Sequence, residues 1–143
     1  MRLAIFEILE GACKLEKVDE RAAFLKKHEH PLLFQVLKYT FDPRVEFHLP
    51  PGTPPYSDCD PVNAETFLYQ HQRKLQLFRK GGTGENLKPS KREFLFIELL
   101  EMVHPRDAKI VLGMKDKQLP EDYKKITKSV INKAFPGLLD QPI

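Results

Sequence analysis

Proline divides this chain into two kinds of sequence. Six of its 12 prolines fall between Asp42 and Pro61, where they exclude a helix interior because proline lacks a backbone N–H and its ring clashes with the preceding turn. Elsewhere, apolar residues mostly recur at intervals of three and four residues, the period of an amphipathic helix. We therefore expect an all-α protein, a compact bundle of about seven helices with one long proline-rich loop. A loop of this length is uncommon unless it has a function, although Phe47, Leu49 and Tyr56 also give it side chains to bury.

Length and composition indicate one domain with its own core. The chain has 143 residues, 41% of them hydrophobic, and a domain of that size buries roughly two thirds of the surface of its unfolded chain. Apolar runs fall far short of the roughly 20 residues of a membrane span, and Glu7 and Glu10 interrupt the first of them, unlike a signal peptide. Cys13 and Cys59 lack metal-site spacing and suit a reducing cytoplasm. The predicted organisation is a single domain over 1–143, with the proline-rich loop at 42–61 and a short C-terminal tail at 136–143.

Capping residues and prolines mark where the helices begin. Ser90-Lys91-Arg92-Glu93 has the pattern of a capping box and precedes an apolar run, which predicts a helix central to the core. Pro105 fits the first turn of the next helix. The predicted helices are 2–14, 19–27 with Asp19 as N-cap, 31–41, 64–80 capped by Asn63 and ended by Gly81-Gly82, 90–103, 104–114, and 128–135 capped by Thr127.

Positive charge is concentrated in the second half of the chain. Residues 1–70 hold 8 Lys and Arg against 11 Asp and Glu, whereas residues 71–133 hold 15 against 8. Such a surplus suits a surface that faces phosphates, because each neutralised phosphate releases a counterion, and helix starts can add backbone N–H donors. The plainer interpretation is that Ser90 and Thr127 only cap helices and the lysines only face solvent. The residues marked by this pattern are Ser90, Lys91, Arg92, Lys115, Lys117, Lys124, Lys125, Thr127 and Lys128.

The sequence has no recognisable catalytic or metal-binding constellation. Its five histidines lack ligand spacing, and the glycines at 81, 82 and 84 are not followed by the Lys-Ser/Thr of a phosphate loop. Cys13 lies on an apolar helix face and indicates a buried thiol. No base, nucleophile and orienting group come together. We therefore expect no enzymatic activity, no cofactor, no metal and no small-molecule substrate.

Three segments, in order along the chain, carry a family resemblance. They are EILEGACKLEKVDERAAFLKKHEHPLLFQVLKYTFDP, SKREFLFIELLEMVHPRDAKIVLGMKDKQL and ITKSVINKAFPGLLDQP. Together they resemble the N-terminal, all-helical DNA-binding domain of ATP-dependent DNA ligases, especially the short version in ligases of T-even-type bacteriophages. They are also similar to small proteins that such phages, cyanophages among them, encode beside their ligases. The resemblance implies a phage protein in the cytoplasm of the infected bacterial host.

In those ligases the domain lies across the minor groove at a nick and contacts phosphates on both sides. The resemblance therefore implicates the residues already marked at the helix start 90–92, in the loop at Lys115 and Lys117, and at Thr127 and Lys128. Two departures matter. Leu119-Pro120 and the extra residues 121–125 replace a glycine after the basic loop, and the K-x-D-G motif of the ligase nucleophile is absent from the sequence. The resemblance thus implies DNA binding without ligase activity.

Two functions from different classes follow. The first is a non-catalytic accessory protein of replication or repair that binds duplex or nicked DNA through phosphate contacts. The second is a protein-interaction module on the same scaffold, which binds a host or phage protein such as a polymerase or replisome component. The acidic N-terminal half, the aromatic proline-rich loop and the altered gripping loop favour the second.

Overall fold

The computed structural model describes residues 3–58 and 68–142. Within these ranges it contains six α-helices and three 3₁₀-helices, with one isolated bridge between Phe47 and Arg79 and no longer strand. The predicted all-α bundle is confirmed. The α-helices are α1 (Ile5–Cys13), α2 (Val18–Lys27), α3 (Pro31–Phe41), α4 (Pro89–Met102), α5 (Pro105–Asp116) and α6 (Lys128–Ala134), and the 3₁₀-helices are Leu68–Leu77, Glu121–Tyr123 and Leu138–Asp140.

Several helix starts lie where capping chemistry predicts them. α3 and α5 each begin with proline after a histidine whose ring accepts a backbone hydrogen bond, His30 from Leu32 N at 3.0 Å and His104 from Arg106 N at 3.1 Å. Proline suits this first position because its missing N–H would have no helical partner there. The Thr127 side chain caps α6 by accepting from Val130 N at 3.4 Å. The predicted bounds of α3 and the predicted cap of α6 are therefore confirmed.

Two predicted N-caps are wrong. α4 begins at Pro89 with Lys88 as its N-cap, so Ser90 already lies inside the first turn. Proline at the first helical position, with its φ fixed near −65°, places the N-cap at Lys88, two residues before the predicted Ser90. α2 begins at Val18 after Lys17, which places Asp19 within the helix, where its charge still favours the positive end of the dipole.

The predicted fourth α-helix is also corrected. Leu68–Leu77 forms a 3₁₀-helix, and the predicted cap Asn63 lies outside the described residues. Apolar intervals of three and four residues over so short a run fit both a 3.0-residue and a 3.6-residue period. The segment ends at a turn in which Gly81 has a φ of +78°, as the two glycines predicted.

The core is centred on α5 and not on α4. α5 contacts α1, α3 and α4, and α2 packs on α1 and α6. α5 buries Ile110, Val111 and Met114 completely, whereas α4 buries one face and leaves Phe94 exposed. The apolar run of α4 suggested burial on every side, but the helix lies at the edge of the bundle. None of the described helices is long and apolar enough to span a bilayer.

Candidate nucleic-acid interface

The nine predicted DNA-contacting residues lie on three elements. Residues 90–92 are in the first turn of α4, Lys115 and Lys117 are at the end of α5, and residues 124–128 lead into α6. α4 packs on α5, whereas α6 packs on α2 and on the C-terminal 3₁₀-helix. The nine side chains differ in their surroundings. Some are buried and bonded to other parts of the protein, and the others face solvent.

Arg92 is an interior residue. Only 2% of its surface is exposed, and its guanidinium donates hydrogen bonds to four backbone carbonyl oxygens. Buried carbonyls of turns have no helix or sheet partner, so a cation with several donors supplies what the backbone lacks. Arg92 therefore holds the turn before α4 to the start of the proline-rich loop and does not face phosphate. The acceptors are His48 (3.3 Å), Gly84 (3.2 Å), Glu85 (3.3 Å) and Leu87 (2.9 Å).

Lys117 has the same kind of role at the end of α5. It is the C-cap, in a left-handed conformation with φ of +61°. Its ammonium donates to the carbonyl oxygens of Asp42 and Val45, both at 2.7 Å, and to that of Tyr39. Burial lowers the pKa of Lys117, opposed by the charges of Asp42 and Glu46. The side chain thus fastens the end of α5 to the end of α3.

A second set of charges surrounds the end of α3. The buried Asp42 carboxylate accepts from Lys38 Nζ at 2.9 Å and from the Arg44 guanidinium at 2.7 Å, and these bonds, those of Arg44 above all, hold the pKa of Asp42 well below its usual range. Both cations also donate to Gln141 O, at 2.8 and 2.7 Å. The predicted C-terminal tail is therefore held against α3. Sequence reasoning missed this group, although the four-residue spacing of Lys38 and Asp42 on a helix is a recognisable ion-pair signal.

Lys115 lies beneath the proline-rich loop. Its side chain is only 4% exposed, and its ammonium pairs with Asp116 at 2.5 Å and lies 3.5 Å from Pro50 O. Together with Glu93, Phe96 and Ile97 it lines a groove of about 320 Å³ between the loop and α4. Little of Lys115 is left for an external ligand.

The proline-rich loop runs along α4 in the direction of the helix. Near the start of α4 its His48 carbonyl accepts from Arg92, and near the other end Ser57 N donates to Glu101 Oε2 at 2.7 Å. Phe47 is buried and Leu49 is half-buried, as the sequence suggested. The loop therefore covers the flank of α4 next to Lys115.

The remaining predicted residues face solvent. Ser90 and Lys91 are exposed on α4, with the Lys91 ammonium 5.6 Å from the centre of the Phe94 ring. Lys124, Lys125 and Lys128 are exposed around the start of α6.

The segment that carries these last three lysines is anchored to the protein by buried side chains. Tyr123 and Ile126 are each only 3% exposed, and Thr127 caps the helix. Lys124 lies 3.4 Å from the exposed Glu121 carboxylate, while Lys125 and Lys128 have no ion pair with any carboxylate in the described part of the chain. We call Lys124, Lys125 and Lys128 the α6 lysine cluster.

A polar cleft adjoins this cluster. Its volume is about 410 Å³, and Lys128 and Asn132 line it together with Asp42 and Asp140. The two carboxylates make the cleft less suited to an anion than the open surface around the lysines. Among the described residues, no group of three or more His, Cys, Asp and Glu side chains could hold a metal ion.

One family model matches the chain over residues 8–121, which is most of its length. The chain belongs to DUF6433, a family of unknown function. No curated protein and no solved structure matches it. The DUF6433 match begins within α1, includes α2 to α5 and stops before the α6 lysine cluster.

Proposed function

We propose that the protein binds the sugar–phosphate backbone of duplex DNA, intact or nicked, with the α6 lysine cluster. The observation that supports this most is that three cations lie within five residues, all exposed and with one weak carboxylate partner among the described residues. Desolvated or paired lysines would have to give up existing contacts to meet a phosphate, whereas Lys125 and Lys128 have no ion pair among the described residues and Lys124 would lose only an exposed one with Glu121.

The resemblance to the DNA-binding domain of ATP-dependent DNA ligases supports a nicked duplex as the preferred form. It also supports a phage accessory protein that works in the host cytoplasm. The proposed interface contains fewer residues than the sequence pattern predicted, because Arg92, Lys115 and Lys117 form contacts within the protein. Thr127 can still contribute, since its hydroxyl accepts from Val130 N and retains a proton to donate.

Contacts of this kind position a protein on DNA without reading its sequence. We therefore expect little difference in affinity between duplexes of unrelated sequence. Each phosphate that is neutralised contributes about −0.9 to the slope of log affinity against log salt concentration. Three lysines that each meet one phosphate therefore predict that the α6 lysine cluster contributes about −2.7 to the slope.

Fluorescence anisotropy with a labelled nicked duplex, from about 50 to 200 mM salt, tests the proposal. The test variant carries Lys124→Glu, Lys125→Glu and Lys128→Glu. A matched control carries Lys14→Glu, Lys27→Glu and Lys109→Glu, three exposed lysines without an ion pair in the described ranges, which change the net charge by the same amount. We expect the test variant to lose binding and the control to keep most of it. Equal losses would mean that the field of the whole protein, and not this cluster, attracts DNA.

A protein-interaction module is the second candidate function, favoured by the apolar groove between the proline-rich loop and α4. Ile97 and Phe96 line that groove beside the loop prolines, so a partner side chain could enter it without unfolding the loop. A host or phage replication protein that uses this groove would be retained by the wild-type protein and released by Ile97→Asp, while the α6 variant would retain it. Retention that is unchanged by Ile97→Asp would exclude the groove.

A further inference from the structure

α4 has an outer face that no other described element covers. Its inner face buries Phe96, Leu99 and Leu100, the helix packs on α5, and the proline-rich loop follows one flank. Residues at intervals of three and four form a stripe on the opposite side. All four members of that stripe are exposed: Lys91, Phe94, Glu98 and Glu101.

Phe94 is unusual within this structure. At 57% exposure it is the one large hydrophobic side chain that the described ranges leave exposed. It lies in the middle of the stripe, one turn after Lys91 and about one turn before Glu98. A single exposed aromatic residue needs no explanation by itself, so the charges around it decide whether it marks an interface.

Those charges are ordered against the helix dipole. Lys88 and Lys91 lie at the start of α4, and Glu98 and Glu101 lie towards its end, with no acidic residue in the first turn and no basic residue in the last. Isolated helices favour the reverse order, because the N-terminus is the positive end. Glu101 accepts a hydrogen bond from Ser57 N at 2.7 Å, but no described residue of opposite charge pairs with any of the four side chains.

We propose that the outer face of α4 binds the same face of a second copy of this chain, with the two helices antiparallel about a two-fold axis. A two-fold interface uses one patch on both subunits and must therefore be self-complementary. In the antiparallel arrangement the lysines at the start of one helix meet the glutamates towards the end of the other. One register pairs Lys91 with Glu98 of the second copy and Lys88 with its Glu101, and places the exposed Phe94 side chains of both copies beside the two-fold axis at the centre.

The charge order selects this occupant and this direction. Antiparallel pairing brings Glu98 and Glu101 of each copy close to the positive N-terminal end of the neighbouring helix. This favourable interaction offsets the unfavourable one within each copy. A parallel pair would set lysine against lysine and glutamate against glutamate. The interface lies on a different element from the α6 lysine cluster, so it does not depend on the proposed DNA binding.

The association should be weak. A helix of 14 residues is about 21 Å long, and one helix face covers less than the roughly 800 Å² per partner of a standard stable interface. We expect a dissociation constant of about 100 µM and a strong dependence on salt, since four ion pairs surround a small apolar centre.

Sedimentation velocity from about 10 µM to 1 mM protein measures this association directly. We expect the wild-type protein to shift from monomer to dimer over that range and Phe94→Ser to remain monomeric. Lys91→Glu and Glu98→Lys should each weaken the dimer by about tenfold at low salt. The double variant Lys91→Glu, Glu98→Lys should restore it to within about threefold, because it exchanges the two signs across the axis.

Three results would overturn the proposal. They are a wild-type protein that stays monomeric up to about 1 mM, a charge exchange that fails to restore association, and a Lys91→Glu variant that associates as tightly as wild type. Lys109→Glu, an exposed change on α5, is the matched control and should associate like wild type. Because all of the substituted side chains are exposed or half-buried, circular dichroism melting curves should coincide and show that the fold is kept.

Discussion

Two groups of basic side chains looked alike in the sequence and differ in the structure. Arg92 and Lys117 are surrounded by backbone carbonyls and together donate seven hydrogen bonds to them. Lys125 and Lys128, at the start of α6, are exposed and have no ion pair with another described residue. The first group stabilises irregular segments of the backbone through hydrogen bonds, and the second group is available to bind a partner.

The difference follows from what surrounds each group. Arg92 and Lys117 lie beside turns and the proline-rich loop, where carbonyls have no helical partner and need donors from elsewhere. The start of α6 is already satisfied, because Thr127 caps it and Tyr123 and Ile126 anchor it. A basic side chain that lies beside irregular, buried backbone therefore stabilises the fold. A basic side chain at a helix start that is already capped remains available for binding.

The largest expected effect is that of Arg92→Met. The substitution removes the Arg92 donor from four carbonyl oxygens, of which Gly84 O retains a hydrogen bond from Leu87 N, and we expect it to lower the free energy of unfolding by about 4 kcal/mol. Urea denaturation measures the change. Lys91→Met, the exposed neighbour on the same helix, is the control and should stay within about 0.5 kcal/mol of wild type. Similar values for the two variants would contradict an interior role for Arg92.

Lys117→Met should have the next largest effect. It removes three hydrogen bonds between the end of α5 and the end of α3, and a charged donor is involved in each, so we expect a loss of about 3 kcal/mol. Lys125→Met is the matched control from the exposed group and should change stability by less than about 0.5 kcal/mol. A Lys117 variant as stable as the Lys125 variant would erase the distinction between the two groups.

Most of the fold could be predicted from the sequence. Which basic side chains are buried and which face solvent could not. Periodicity and prolines predicted the all-α bundle and the bounds of α3, because these depend on local chemistry. The burial of Arg92 depends on carbonyls at positions 48 and 84–87, which only the folded chain brings to it. Lys117 likewise finds its acceptors more than 70 residues away in sequence.

The misplaced helix starts have a different cause. At α4 two signals competed, a serine pattern and the proline one residue before it, and the proline prevailed because its φ is already helical. The positive charge of residues 71–133 marked a set of basic residues, but charge alone cannot distinguish those that bind backbone carbonyls in the interior from those that face solvent. Only Lys38 and Asp42, four residues apart on α3, gave a local signal that was overlooked.

A smaller effect is expected for Asp42→Asn, and it depends on pH. Because hydrogen bonds from Arg44 and Lys38 lower the pKa of Asp42 in the folded protein, its contribution is present above the unfolded pKa near 4 and is lost as pH falls below it. We expect a loss of about 2 kcal/mol at pH 7, less than the full shift implies because the Arg44 side chain is 49% exposed. Urea denaturation between pH 7 and pH 3 should show a flatter acid limb for the variant (about 2 kcal/mol or less).

Asp107→Asn provides a contrast of opposite sign. Burial raises the pKa of Asp107 to about 7, although Phe6 N donates to its carboxylate at 3.1 Å. The folded protein therefore retains a proton that the unfolded chain loses, and stability falls as pH rises from about 4 to 7. The variant should lack this fall and keep the acid limb of wild type. An acid limb that disappears in Asp107→Asn and persists in Asp42→Asn would reverse the assignment of the two carboxylates.

Lysine labelling tests the division between the two groups, and the proposed function, in one measurement. The protein is treated briefly with an amine-reactive reagent, with and without a nicked duplex at low salt, and each lysine is quantified by mass spectrometry. Without DNA we expect Lys124, Lys125 and Lys128 to react quickly and Lys115 and Lys117 to react slowly; with DNA the first three should be protected, while the exposed Lys14 and Lys27 should not. Rapid labelling of Lys117, or protection that is spread evenly over all exposed lysines, would contradict the division and the DNA-binding surface built on it.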